Sequence, residues 1–210
     1  MDIQELIIRH PKLLYCGEDI ENAVKELKTC FSGGGRVYIC GNGGSAADST
    51  HIVGELVKGF LSKRPLDDAI KCRLAAIDSE LGVKLGEKLQ GGLPAHDLCE
   101  NISLSSAVAN DIDPDMIYAQ QLIAYGQAGD ILIAISTSGN AKNTAYAAVT
   151  AHALGMTVIG LTGETGGKLK ELCGICIRVP EKETYKVQEL HLPVYHYLCA
   201  KVENDLFGAE

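Results

Sequence analysis

An apolar strand pattern, Val37-Tyr38-Ile39-Cys40, breaks into Gly41-Asn42-Gly43-Gly44-Ser45 and resumes as a helical pattern from Ala46 through Glu55. Glycines at such a junction let backbone N–H groups approach an anion closely, and the following helix aims its positive dipole end at the same point. The chemistry this favours is the grip of a phosphorylated ligand. Further down the same helix His51 and Glu55 stand four apart, which puts an imidazole and a carboxylate on one face. Phosphate grip and titratable pair are expected to share one pocket.

A second oxygen-rich turn, Ser136-Thr137-Ser138-Gly139-Asn140, follows the apolar run Ile131 to Ile135 and precedes another helical pattern. Hydroxyls and free amides at a helix start can receive phosphate oxygens without lysine or arginine. Taken alone the segment reads equally as an N-cap with a Ser/Thr turn; beside the first loop it reads as phosphate-binding. Near the C-terminus Gln188, Glu189, His191 and His196 begin a helical pattern. At roughly 100° per residue Gln188 and His196 lie about 80° apart, so both can face one pocket. Pro193 stands between them, cannot donate to the Glu189 carbonyl, and is expected to bend a helix that runs through it.

The elements that must position these residues alternate. Strand patterns recur at Arg36 to Cys40, Ile131 to Ile135, Thr157 to Leu161 and Ile175 to Val179. Helical patterns lie at about Asp19 to Phe31, Ala46 to Phe60, Met116 to Tyr125, Ala141 to Leu154 and Lys186 to Phe207. This order predicts an α/β fold: a doubly wound three-layer sandwich around a mostly parallel sheet, with ligands beyond the carboxyl ends of the strands. Between Leu61 and Asp97 the pattern weakens, and Ala69 to Leu89 is expected to hold one or two helices on a surface excursion. His96, at its end, reads as a solvated residue.

The 210 residues suit one domain over 1–210, with N-terminal helices within 1–32 and an inserted helical or loop segment at about 61–98. A net charge of -8 argues against a nucleic-acid surface. No basic segment followed by an apolar run opens the chain, and no stretch is apolar enough to span a bilayer, so a cytoplasmic protein without membrane contact is expected. Eight cysteines scattered through apolar segments read as core residues rather than disulfides. Cys173-Gly174-Ile175-Cys176 has C-x-x-C spacing, but its context reads as a buried strand and no second such pair completes a zinc site.

Gly41-Asn42-Gly43-Gly44-Ser45 with His51 and Glu55, Asn110-Asp111, Ser136 to Asn140, and Gln188 to His196 together resemble the SIS (sugar isomerase) domain family. The resemblance spans roughly Gly35 to Phe60 and Ile102 to Val202 and implies an SIS-type, flavodoxin-like fold. It implies phosphate ligands at Ser45, Ser136, Thr137 and Ser138, and sugar contacts at Asn42, Gly43, Gly44, Asn110 and Asp111. Glu55 becomes the catalytic base and His196 its acid/base partner. Some members hold zinc at positions matching His51, Glu55, Gln188 and His196, while no nucleotide cofactor is implied. The substrate expected is a phosphorylated sugar, sedoheptulose 7-phosphate, isomerised through an enediol, and the assembly expected is a homotetramer.

Aldose–ketose isomerisation needs one group to move a proton between C1 and C2 and another at the carbonyl oxygen, roles that Glu55 and His196 can divide. A pentose or hexose phosphate remains open, because phosphate contacts say little about sugar length. So does a non-catalytic sugar-phosphate sensor or docking module, which needs the serines and glycines but not the proton-handling pair. Three departures bear on the substrate: extra residues around Lys71 to Leu93, Ala141 where many relatives carry a further serine, and Tyr185 where an aspartate often lines the pocket.

Overall fold

The central strands are apolar on both faces, the signature of a sheet covered on both sides. In the computed structural model, which describes residues 2–208, this sheet has five strands, all parallel: β1 (Val37–Cys40), β2 (Ala95–Asp97), β3 (Ile131–Ser136), β4 (Thr157–Thr162) and β5 (Ile175–Arg178). Their order is β2-β1-β3-β4-β5, the flavodoxin-like doubly wound order. Val37, Ile39, Ile131, Ile133, Ile159 and Ile177 point to one face, where they meet α2 (Gly17–Ser32), α3 (Gly44–Val57) and α10 (Thr184–Phe207). Tyr38, Cys40, Leu132, Ala134 and Val158 point to the other, against α7 (Ile117–Tyr125) and α8 (Lys142–Ala153).

The remaining elements are α1 (Ile3–Arg9), α4 (Asp68–Ile77), α5 (Leu81–Lys88), α6 (Ile102–Asp111) and the short α9 (Leu169–Leu172). Three of the elements were not expected: β2, α6 and the four-residue α9. β2 is only three residues long, and its Ala-His-Asp carries no apolar run; it is a strand because β1 offers a parallel edge, with Val37, Tyr38 and Ile39 opposite Ala95, His96 and Asp97. The α6 sequence has a small buried face, Val108 being its buried residue, and Asn101 caps its start by accepting from Leu104 N.

Exposed His96 stacks on the Tyr38 ring at 5.3 Å. Cys173 ends α9 and only Cys176 lies within β5, so the C-x-x-C is a helix-to-strand junction rather than one strand. All eight cysteines are free; Cys16, Cys30, Cys40 and Cys199 are buried, whereas Cys72 is exposed. No helix among the described residues is long and apolar enough to cross a membrane.

α4 and α5 form a hairpin whose backbones touch: a Cβ on Gly82 would stand 1.9 Å from the Leu74 carbonyl oxygen. Glycine contact leaves the larger apolar side chains unused between the helices, and Ile77, Leu81 and Leu85 are exposed. The base of the hairpin is fixed by a buried ion pair, Arg64 Nε to Glu203 Oε1 at 2.8 Å. The Glu203 carboxylate also accepts from the N–H groups of Phe60, Leu61 and Ser62, so its charge is met by donors on every side.

Candidate functional site

β1 ends at the glycine loop, and the loop's shape follows from what crowds it. Gly43 takes φ +57, a conformation open to glycine, and serves as the N-cap of α3. Gly44 is required for a different reason. The Gln188 carboxamide from α10 rests where a side chain would project, and a Cβ there would meet Gln188 Nε2 at 2.3 Å.

Two residues absent from the sequence reading hold the loop from the other side. The buried Tyr118 hydroxyl donates to the Gly41 carbonyl and lies 3.1 Å from Asn42 Oδ1. Asn143, in the first turn of α8, exchanges two hydrogen bonds of 2.8 Å with the Asn42 side chain. Asn42 therefore ties the first loop to the helix that follows the second.

The second loop runs from the end of β3. Ser136 is buried, Thr137 half-buried and Ser138 exposed. The Thr137 carbonyl accepts from Gly163 N at 3.0 Å and the Gly139 carbonyl from Leu169 N at 3.0 Å, which pins the loop to the segment after β4. Both loops lie at carboxyl ends of adjacent strands, as a doubly wound sheet requires of a ligand site. Ser45 is buried in the first turn of α3. Asn110 and Asp111 end α6 and bond to each other at 2.8 Å; their hydrogen bonds do not join them to either loop.

Lower on α3 three titratable side chains meet. His51 Nε2 is 3.2 Å from Glu55 Oε1 and 3.5 Å from His196 Nε2. The helix of His196 runs unbroken from Thr184 to Phe207, so Pro193 does not displace His196 from this meeting. Glu55 Oε2 also receives Lys58 Nζ at 3.4 Å. The His196 ring stands edge-on to His51 at 5.0 Å and beside Phe60 at 5.6 Å. Burial, and then the neighbouring His51, lower its pKa below the ordinary imidazole value.

Behind His51 lies a further layer. The buried Tyr195 places its hydroxyl 3.0 Å from His51 Nδ1 and 3.3 Å from Asp48 Oδ1. Burial raises the Asp48 carboxyl above its usual range. One turn before His196, His191 is fully buried, neither ring nitrogen has a hydrogen-bond partner, and burial lowers its pKa to about 4. α3 itself is anchored to β2 through Asp97, which accepts from Ser49 Oγ at 2.8 Å and Thr50 Oγ1 at 2.6 Å.

A cleft of about 200 Å³ between α1 and α10 opens beside His196, lined in part by Glu5, Arg9, His10 and Glu189. The roomier cleft of about 750 Å³ lies around Arg36, Tyr38, His96 and Gln121 and contains none of the candidate residues. Of the four residues named for zinc, His51 contacts Glu55 and His196, while Gln188 is turned onto Gly44. The separations of 3.2 and 3.5 Å are those that two ligands of one tetrahedral ion with bonds of about 2.1 Å would keep. Among the described residues, however, no three His, Cys, Asp or Glu side chains close into a metal cage. Imidazoles and a carboxylate suit zinc by type, and Gln188, seated on Gly44, would have to turn away from it to join them.

The SIS domain family profile matches residues 16–87 and 85–163, two stretches that meet inside α5. A phosphoheptose isomerase of Rhodospirillum rubrum is 38% identical over 191 residues, covering 91% of this chain and 88% of that protein. Among solved structures, a phosphoheptose isomerase from Francisella tularensis is similar with a TM-score of 0.73 at 31% identity, over 89% of this chain and 86% of that one. Another, from Neisseria gonorrhoeae, is similar with a TM-score of 0.70 at 28% identity, over 97% of this chain and all (100%) of that one.

Proposed function

The chain belongs to the SIS domain family, and on that premise we propose that it is a phosphosugar aldose–ketose isomerase of heptose biosynthesis. The substrate we assign is sedoheptulose 7-phosphate and the product D-glycero-D-manno-heptose 7-phosphate. The relatives named phosphoheptose isomerase support the class. The observation that carries the reading is the meeting of Glu55 and His51, on the helix that begins at the glycine loop, with His196 of α10. A sensor would need the loops without this group.

In this reading the phosphate rests on Ser45, Ser136, Thr137 and Ser138, where amides and hydroxyls supply neutral donors. Asn42, Gly43, Gly44, Asn110, Asp111 and Gln188 line the sugar. Glu55 removes the proton from the carbon beside the carbonyl, and the electron pair moves into the enediol. The same carboxylate returns the proton to the neighbouring carbon, so no hydrogen is gained or lost overall. His196 takes the proton of the hydroxyl and then gives it to the carbonyl oxygen, as general base and then acid. Its lowered pKa suits it to start neutral and accept that proton. Zinc held by His51, Glu55, Gln188 and His196 would, when bound, polarise the carbonyl. A homotetramer in the cytoplasm belongs to the same reading; exposed Ile8, Leu14 and Tyr15 near the N-terminus offer apolar surface for packing.

The experiment is turnover by purified protein of sedoheptulose 7-phosphate, fructose 6-phosphate and arabinose 5-phosphate, followed by NMR. Selective conversion of the heptulose supports the whole assignment. Preference for a shorter sugar keeps the isomerase and moves the substrate. Saturable binding with no conversion replaces the isomerase by a sensor.

A further inference from the structure

The C-x-x-C junction is a motif that the proposed reaction leaves unused. Cys173 caps the end of α9 and Cys176 lies in β5, with the chain bending at Gly174 between them. Cys176 pairs with Gly160 of β4, and a Cβ on that glycine would meet Cys173 Sγ at 2.7 Å and Cys176 Sγ at 3.3 Å. Both sulfurs therefore lean over the same bare spot of the sheet, where the Cys173 thiol donates to the Cys176 sulfur. Each cysteine is half-buried, and among the described residues no third His, Cys, Asp or Glu joins them. Two adjacent thiols without a further ligand suit exchange of electrons between sulfurs rather than a closed metal site.

The two thiols are not equivalent. The hydrogen bond from Cys173 lowers the Cys176 thiol to about 7, so a large share of it is thiolate at neutral pH, and the same bond keeps the proton on Cys173. Thr162 Oγ1, 3.7 Å from the Cys176 sulfur, is a second polar neighbour. Upstream of Cys173 the chain supports the second loop. Leu169 N–H donates to the Gly139 carbonyl and Lys168 N–H to Asn140 Oδ1, each at 3.0 Å. A Cβ on Gly139 would stand 2.0 Å from the Gly166 carbonyl oxygen, so the two backbones touch. Cys176 is held in the β4–β5 ladder, and a bond that draws the sulfurs together must move Cys173 and the four-residue helix behind it.

We propose that Cys173 and Cys176 are a peroxide-sensitive dithiol whose disulfide shifts α9 and loosens its hold on the 136–140 loop. The Cys176 thiolate attacks one oxygen of hydrogen peroxide; the S–O bond forms, the O–O bond breaks, and the departing hydroxide takes a proton to leave as water. The Cys173 sulfur then attacks the sulfur of this sulfenic acid, and its proton goes to the leaving hydroxyl, which departs as a second water. Two electrons pass from the sulfurs to the peroxide, and a dithiol reductant returns them. The loop's service to phosphate rests on the isomerase reading; the thiol chemistry does not.

In the test, reduced full-length protein is exposed to hydrogen peroxide, its remaining thiols are alkylated, and trypsin leaves both cysteines in the peptide spanning 171–178. That peptide is expected to lose two hydrogens, escape alkylation and recover both thiols in dithiothreitol, all before the exposed Cys72 oxidises. Cys173→Ser is expected to stop at a Cys176 sulfenic acid that dimedone traps. Cys173 and Cys176 still open to alkylation once Cys72 has oxidised overturn the proposal, and so does oxidation of either sulfur without a link between them. The shift of α9 is read from amide hydrogen exchange by NMR. In the disulfide form Leu169 N–H is expected to exchange about fivefold faster, the worth of one hydrogen bond, and an unchanged rate overturns the effect on the loop. Calorimetry with sedoheptulose 7-phosphate is expected to show binding weaker by a similar factor. Faster exchange with equal affinity in the two forms leaves the dithiol standing and takes the 136–140 loop out of phosphate binding. Faster exchange in a protein that binds no sugar phosphate likewise supports the dithiol and removes the isomerase reading alone.

Discussion

The loop end and the histidine end of the candidate pocket lie along one helix, α3, yet they are held by different forces. The loop end is fixed by shape and neutral hydrogen bonds: Gly43 at positive φ, Gln188 seated on Gly44, and Tyr118 and Asn143 on Gly41 and Asn42. The histidine end is a set of titratable groups, His51, Glu55, His196 and Asp48, joined through Tyr195. The first arrangement keeps its form across a wide pH range. The second changes with every proton. A site divided this way would separate binding, assigned to the loops, from proton transfer, assigned to the side chains below.

The sharpest test of that division is Glu55→Gln. The amide keeps the shape and cannot take a proton, so kcat should fall by about 10³-fold while KM stays within about twofold. Full turnover by this variant would remove Glu55 as the base. A large rise in KM instead would blur the two ends into one.

The next effect concerns His191, fully buried on α10 between Gln188 and His196. Its folded pKa of about 4 lies below the unfolded value of 6.5, so the unfolded chain binds the proton first. Stability is therefore full above pH 6.5 and drains as pH falls toward 4, by about 3 kcal/mol in all. Urea titrations across this range should show the slope, and His191→Gln should flatten it. An equal slope in the variant would place the acid sensitivity elsewhere.

At the loop end Gly44→Ala drives a methyl group into the Gln188 amide, and overpacking of this kind costs about 1–3 kcal/mol. The expected result is a lower urea midpoint together with weaker phosphosugar binding. Wild-type binding in Gly44→Ala would show that Gln188 yields freely. Smallest is Ser136→Ala, which removes one hydroxyl: KM should rise about tenfold, equivalent to about 1.4 kcal/mol, with kcat little changed. A matching loss in kcat would tie the loop to the chemical step.

Much of this architecture was legible because it repeats over enough residues to leave a period. β1, β3, β4 and β5 alternate or run apolar, and α2, α3, α7, α8 and α10 were expected within a few residues of their observed ends. β2 was not. Three residues carry no period, and Ala95 to Asp97 becomes a strand through hydrogen bonding to β1. α6 was missed for a similar reason, being short and largely exposed. The C-x-x-C was read as one strand, although a chain reversal between α9 and β5 falls inside it.

The candidate residues divide in the same manner. The glycine loop and the His51–Glu55 pair are local, and helix geometry alone puts four-apart side chains together. Tyr118, Asn143, Asp97 and Tyr195 looked like ordinary core or surface residues, because their roles lie in partners far along the chain. The one weak signal was for Tyr195: it neighbours His196 on the C-terminal helix, where a buried hydroxyl must find a partner.

By itself the sequence determined the doubly wound sheet, the two oxygen-rich loops at strand ends and the face of α3 that carries His51 and Glu55, because these follow from local periods and glycine placement. Only the tertiary structure decided that Gln188 packs on Gly44 while His196 reaches His51, that α10 continues unbroken through Pro193, and that Tyr195 stands between Asp48 and His51. Those contacts join residues more than 140 positions apart, and what brings them together is the burial of α3 and α10 against one face of the sheet. Local sequence sets which face a helix presents, and packing sets what meets it.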